Sequence, residues 1–474
     1  MNNNTRLAII VVFLWALTAV AFGQANQWGP YDPGAVRKTD QAARVDTINA
    51  SFTGSIDVTG NVGAAKVSAA AYDTEDGDLL DMMAMINSYN PKRWGIRIEK
   101  ANSNPDTRVT YLYDAVGMTP AAMNFASGTF NYGDWKPFCD AINRPVMLDA
   151  AGNVVEVLDP NDQTKKIDGT ASSISSTTHA LNAMSEFKRL WLRTYEDDDY
   201  QYIIFSNVQY DENYHANAFT AADGTIRDRM YYAMFEGSNV SSKLRSIATG
   251  ATMINQTAAT EIAYAETNGA GWHINYKSQR DFITYLLALI SKSTNSQAVF
   301  GQGNSNSAAS IAPGALKATG RFWGDDAATD QAVKVFFIEH FWGNYWKRCA
   351  GLLLRNDAGT AKIYVKHTPT YNETADSYID TGVTPGGTSE EYIKAMNSAH
   401  GALIPATNTG GSASTFFMDG FWFATPAAAG NCHYALVGAY RGNAGLCGAF
   451  AVFLRFPLSD AGPYLGARLS FLKP

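Results

Sequence analysis

From Trp94 onward the chain repeatedly alternates apolar and polar side chains with the two-residue period of half-buried strands. In RWGIRIEK, Trp94, Ile96 and Ile98 fall on one face and the charged residues on the other, which predicts a strand. VVEVLD and YQYIIFSNVQY read as further strands, and SEFKRLWLRTYEDDDYQYIIF as two strands around an acidic turn. The period becomes helical twice. QTAATEIAYAETNG (Gln256–Gly269) is alanine-rich, with Thr257 as its cap and glycine at its end. SQRDFITYLLALISKS opens on Ser278 as cap and carries an apolar stripe through Phe282, Leu286, Leu289 and Ile290. Further on, FFIEHFWGNYWKRCAGLLL (Phe336–Leu354) brackets Gly343 and Asn344 with Phe341, Trp342, Tyr345 and Trp346, a glycine turn under an aromatic cluster. AKIYVK, GALIPA, FFMDGFWFA, CHYALVGAY, GAFAVFLRF and GARLSFL continue as loop-rich β-structure.

Before Trp94 the pattern differs. Arg6 precedes the apolar run Leu7–Phe22, and Ala21-Phe22-Gly23 offers a small-x-small cleavage site before Gln24. Residues 1–23 thus read as a signal-like apolar segment, with a short membrane anchor as the rival. Residues 24–90 are mostly polar and rich in small residues, and read as a stalk or attachment region that cannot close a core alone. Within it, DTEDGD (Asp73–Asp78) lacks the twelve-residue calcium-loop pattern and reads as the acidic start of a helix through LLDMMAMINSY. Residues 91–474 form the folded domain.

Composition narrows the function. With 46% hydrophobic and 17% charged residues among 474, the chain is globular. Its 40 glycines and 12% aromatics favour β-structure with elaborate loops. A net charge of -7 without a basic run gives no support for nucleic-acid binding. Cys139, Cys349, Cys432 and Cys447 are too scattered for a disulfide framework and contain no C-x-x-C zinc pair. Buried free thiols, or one bridge among them, both remain open. There is no G-x-S-x-G, H-E-x-x-H or Walker motif, and the seven histidines stand singly. No catalytic residue, metal or cofactor is therefore assigned. Glu196–Asp199 reads as a solvated turn and His273 as a packed, hydrogen-bonded side chain. GQGNSNSA (Gly301–Ala308) lacks the third glycine of a phosphate loop and reads as an ordinary loop, with SQAVF before it a short strand at best.

Two stretches carry a resemblance. HFWGNYWKRCAGLLL, with the strand, the two helices and NSQAVFGQG before it, resembles the W-G-N-x-W-x-W turn of the formylglycine-generating-enzyme branch of the C-type lectin fold. YALVGAYRGNAGLCGAFAVFLRF…LGARLSFL resembles the variable region of proteins diversified by retroelements, whose frame reads L-V-G-G-x-W-x-x-G-x-x-x-G-A-F-x-V-x-L … G-A-R-L. The resemblance runs from about Trp94 to Pro474, is closest from Tyr434 onward, and is nearest to gut-bacteriophage tail adhesins. Leu436, Val437, Gly438, Gly448, Ala449, Phe450, Val452, Leu454, Gly466, Ala467, Arg468 and Leu469 match the frame. Where the family often has Trp this chain has Arg441 and Pro463, and where it has Ala-Ala this chain has Pro457-Leu458. Arg441 and Pro463 thus stand between frame and filling. In such proteins template adenines are miscopied, and an AAC or AAT codon altered at both adenines never yields Lys, Glu, Gln, Met or Trp. None of these types occurs from Gly438 to Arg468.

The resemblance implies an α+β, C-type lectin-like fold, loop-rich, with short antiparallel strands, two helices and a variable region at about 436–470. It places Tyr440, Arg441, Gly442, Leu446, Phe453, Arg455, Phe456, Asp460, Gly462 and Tyr464 at variable, ligand-binding positions. Strand alternation then expects Val452 and Leu454 in the core and Phe453 and Arg455 outward. The function implied is a receptor-binding adhesin of a phage tail, located on the virion, a homotrimer binding a host-cell surface protein or glycan. The signal-like start suggests the alternative of a secreted or surface-displayed bacterial protein. An oxidase of the formylglycine-generating type is the remote third reading, with Cys432 and Cys447 its only candidate cysteines.

Overall fold

The computed structural model describes residues 91–474, apart from 330, 370–373 and 388. The chain divides into two units, Met1–Pro91 and Lys92–Pro474, and all strands and helices among the described residues belong to the second. The apolar segment 1–23, the polar region 24–90, Asp73–Asp78 and the helix expected after it lie outside the described residues.

The described chain is mostly β, in largely antiparallel sheets, with few helices. Arg93–Glu99 is central in a four-stranded sheet, paired with Val109–Tyr113 and with Tyr200–Ser206, which in turn pairs with Trp191–Glu196. Ile96 and Ile98 are fully buried, as the alternation predicts, while Trp94 is only partly so. SEFKR does not enter this sheet: it belongs mainly to a separate strand, Asn182–Lys188. The acidic residues do form the hairpin turn. The Asp197 carboxylate accepts the N–H groups of Asp199 and Tyr200 and the Tyr202 hydroxyl, and Glu196 pairs with Lys100 at 3.2 Å.

The six-stranded sheet inserts the C-terminal strand Leu469–Phe471 between Trp272–Ile274 and Arg229–Ala233. The eight-stranded sheet is built on Trp346–Asp357, with Thr360–Val365 on one side and Cys432–Val437 on the other. Val452–Leu454 follows, then Gly420–Phe423 and Glu391–Tyr392.

Four α-helices occur among the described residues, two more than expected. Ala258–Glu266 has the predicted cap, the Thr257 hydroxyl accepting the Thr260 N–H at 3.3 Å. Lys136–Ile142 has proline in its first turn, where no N–H is missed. Ser296–Phe300 corrects the strand reading of SQAVF: the Asn295 side chain accepts the Ala298 N–H at 3.0 Å and starts a helix. The fourth, Lys277–Ser291, is buried on every side. Ser278 is not its cap. Tyr276 holds that position, its hydroxyl donating to the Ala218 carbonyl at 3.0 Å rather than capping the helix, and Ser278 instead hydrogen-bonds His367 Nδ1 at 2.9 Å. Phe282 packs edge-on against Phe187, Phe205 and Phe219.

The polar side of this helix meets the C-terminal segment rather than water. Arg280 lies 3.4 Å over the Phe341 ring and donates to the carbonyls of Phe341 at 2.7 Å and Ala449 at 3.4 Å. Thr284 donates to the same Ala449 oxygen at 3.1 Å. Arg468, also fully buried, donates to the carbonyls of Ala233, Glu339 and His340. It thereby ties the six-stranded sheet to the aromatic turn. At that turn the buried Asn344 amide bonds Glu236, Asn304 and both backbone groups of Ile311. All four cysteines are free and buried.

Two outcomes follow from these buried groups. Arg468→Met leaves three carbonyls without their donor and should lower stability by about 3 kcal/mol in urea unfolding. His273 is buried, donates Nδ1–H to the Ile274 carbonyl, and has its pKa lowered by desolvation to about 4. Because the unfolded chain binds the proton first, stability is lost as pH falls from about 6.5 towards 4. H273Q should therefore show a shallower decline in melting temperature over that window than the wild type.

Candidate functional site

The C-terminal segment reaches the surface through two loops that leave and re-enter the eight-stranded sheet. The first, after Val437, carries Tyr440, Arg441, Gly442 and Leu446. The second leaves Leu454 with Arg455 and Phe456. The same loop continues through Asp460 and Gly462 to Tyr464, before Leu465–Gly466 pairs in parallel beside Trp346. Gly466 of the frame thus lies in a short strand.

Local contacts fix each loop. The Asn443 side chain accepts the Tyr440 N–H at 3.2 Å, and its amide donates to the Glu390 carboxylate. The Gly301–Ala308 segment, a loop as expected, supports the same turn: Ser307 N–H bonds the Arg441 carbonyl at 2.9 Å, and Ala444 N–H bonds the Ser305 carbonyl at 2.7 Å. The Asp460 carbonyl accepts from the buried Arg348, itself paired with Glu261 at 2.8 Å. Gly448 admits no side chain: a Cβ there would stand 1.9 Å from Asp419 Oδ1. The Asp419 carboxylate in turn accepts the Phe450 N–H at 2.7 Å, and its burial raises its pKa well above the usual range.

One expectation is corrected. Phe453 does not face solvent; it is 1% exposed. Alternation does turn it away from Val452 and Leu454, but its strand lies between two others, with Leu436 and Trp422 as its register partners. The second face is covered by aromatic rings: Trp346 lies 4.2 Å away edge-on and Trp422 6.1 Å away. Phe453 is the floor beneath the surface.

Above that floor the remaining aromatics form a continuous half-buried cluster. Tyr440 lies 6.5 Å from Trp346 and 5.9 Å from Tyr464, and Tyr464 lies 6.1 Å from Phe456. The Arg455 guanidinium stacks 3.6 Å over Trp422 and 5.3 Å from the Phe456 ring. Each tyrosine ring rests against a bare glycine: a Cβ on Gly442 would come within 2.6 Å of the Tyr440 hydroxyl, and one on Gly462 within 2.7 Å of the Tyr464 ring. Arg441 and Leu446 flank the cluster, Arg441 lying 5.3 Å over Tyr345 and Leu446 packing on Gly420. Asp460 is half-buried, one carboxylate oxygen having no hydrogen-bond partner among the described residues. Trp422, Glu390, Asn443 and Asp419 belong to this neighbourhood although no local pattern in the sequence marks them.

The other candidates lie elsewhere. His273 is packed in the six-stranded sheet. Cys432 opposes Arg355 across the eight-stranded sheet, whereas Cys447 lies in the loop under the Tyr440 carbonyl. Burial pushes the Cys432 thiol up to about 11 and the Cys447 thiol higher still, disfavouring thiolate in both. Among the described residues no group of three or more His, Cys, Asp or Glu is placed to hold a metal, and no helix is long and apolar enough to cross a membrane.

The chain matches no family model and no curated protein against which it was compared.

Frame and surface should separate in a stability series. Gly448→Ala should cost about 3 kcal/mol through overpacking against Asp419, and Phe453→Ala about 4 kcal/mol through the cavity left under the cluster. Arg455→Ala and Tyr464→Ala should stay within about 1 kcal/mol of the wild type. Urea unfolding of the four variants checks the ordering.

Proposed function

We propose that this protein is a receptor-binding adhesin of a phage tail, with a C-type lectin-like fold of the formylglycine-generating-enzyme branch and a C-terminal surface diversified by a retroelement. One observation carries the reading. Tyr440, Arg455, Phe456 and Tyr464, drawn from two loops, meet in a single half-buried cluster, while the frame around them is buried. Tyrosine and arginine over a packed floor have the composition of binding hot spots. A surface fixed by its own glycine seats and by stacking loses little entropy on binding. Phe453 belongs to the support in this reading, and Arg441, Gly442, Leu446, Asp460 and Gly462 to the rim. Display as a homotrimer would add weak single contacts into useful avidity.

The alternative, a secreted or surface-displayed bacterial protein with the same binding surface, is favoured by the apolar run Leu7–Phe22. Sequencing the N-terminus of the native protein separates the two: Gln24 on a cell surface supports export, and Met1 in purified virions supports the tail.

Binding of the purified full chain to host cells tests the function itself. The double variant Tyr440→Ala/Tyr464→Ala should bind about 30-fold or more weakly, as loss of a hot spot of 2 kcal/mol or more requires. Surface substitutions on the four-stranded sheet, such as Tyr200→Ala, should leave binding unchanged. Equal loss from both sets would remove the assignment of the surface.

A further inference from the structure

We propose that the cluster recognises a carboxylate-bearing sugar, of the uronic or sialic acid class, with the carboxylate on Arg455 and the sugar ring against Tyr440 and Tyr464. This rests on the functional reading above and specifies its ligand. The buried arginines around the site are engaged: Arg280, Arg348 and Arg468 all donate to carbonyls or carboxylates. Arg455 differs. Its guanidinium carbon lies 3.6 Å over the Trp422 ring, yet among the described residues no hydrogen bond or ion pair takes its N–H groups. A stacked guanidinium keeps its donors at the ring edge, in a planar fork that matches a carboxylate with two parallel bonds. Stacking also fixes the fork in advance, so little side-chain freedom remains to be lost.

The surroundings favour a sugar over an extended peptide. A peptide usually adds to an exposed strand edge. Here Val452–Leu454 is flanked on both sides by Cys432–Val437 and Gly420–Phe423, so the strand beneath the cluster offers no free edge. What the surface does offer is aromatic faces and hydroxyls. Tyr440 and Tyr464 are inclined at 48° with no hydrogen bond from either hydroxyl among the described residues. A pyranose presents apolar C–H groups to such faces and equatorial hydroxyls to such a rim. Among the described residues Glu390 makes no ion pair with Arg455, although the two charges attract, and its carboxylate is tied to Asn443.

The test uses the full chain and a panel of oligosaccharides ending in N-acetylneuraminic, glucuronic or galacturonic acid, each beside its carboxyl-reduced counterpart. At least one acidic member should bind, and about 30-fold more weakly after carboxyl reduction. R455Q should lose binding to the same extent, and R455K most of it, since lysine keeps the charge but not the fork. Tyr464→Ala should also weaken binding, and unchanged melting temperatures exclude misfolding. Failure of every acidic member to bind, equal binding of a reduced counterpart, or full binding by R455Q overturns the inference. If host-cell binding still depends on Tyr440 and Tyr464 in those cases, the adhesin reading stands without it. Acidic binding indifferent to both Arg455 and Tyr464 removes the site itself.

Discussion

Buried guanidinium groups tying backbone carbonyls across separate sheets are the constraint on which the rest of this fold depends. Arg468 joins the strand Arg229–Ala233 to the aromatic turn, Arg280 joins the central helix to that turn and to Ala449, and Arg348 joins Glu261 to the Asp460 carbonyl. Taking such charges out of water is expensive, and each of the three leaves one nitrogen without a partner among the described residues. In exchange, several carbonyls in irregular backbone are satisfied by one planar group. A loop-rich chain with short strands has few ladder bonds of its own, so donors of this reach determine which loops can be packed at all.

A C-terminal segment held this way can present side chains without relying on them for stability. Gly448 closes on Asp419, Phe450 N–H is fixed by the same carboxylate, and Phe453 is clamped between Trp346 and Trp422. Beyond that layer the rings touch mainly one another. The two tyrosines and their glycines form coupled pairs: enlarging Gly442 or Gly462 would displace a ring rather than the backbone. Neighbouring surface positions are therefore not independent, and a change at one alters the shape offered by the other.

Much of the fold was legible in the sequence where period and burial agree. Ile96 and Ile98 alternate into the core, Thr257 caps its helix, and the Phe341–Trp346 aromatics surround a turn. What failed did so through contacts distant in the chain. Ser278 has the residue type of a cap, but His367 takes its hydroxyl. SQAVF is short and apolar, and only the Asn295 cap decides for helix. Alternation points Phe453 outward because it gives a face but not what covers it; Trp422 and Trp346, far away in sequence, cover it. Asp419 and Glu390 were invisible for the same reason, since each acts on a loop that the fold alone brings near. Arg455 and Tyr464 stand out in the sequence only through a resemblance, and their mutual proximity through Phe456 is a property of the folded chain.

The separation of a fixed frame from a replaceable surface is tested most directly by native-state amide hydrogen exchange along the C-terminal segment. Amides of Val452, Leu454, Leu469 and Phe471 should exchange only with global unfolding, while those of the exposed or half-buried Gly442, Asp460 and Gly462 should exchange orders of magnitude faster at unchanged global stability. Uniform protection across the segment, or strand amides opening together with the loops, would contradict the account.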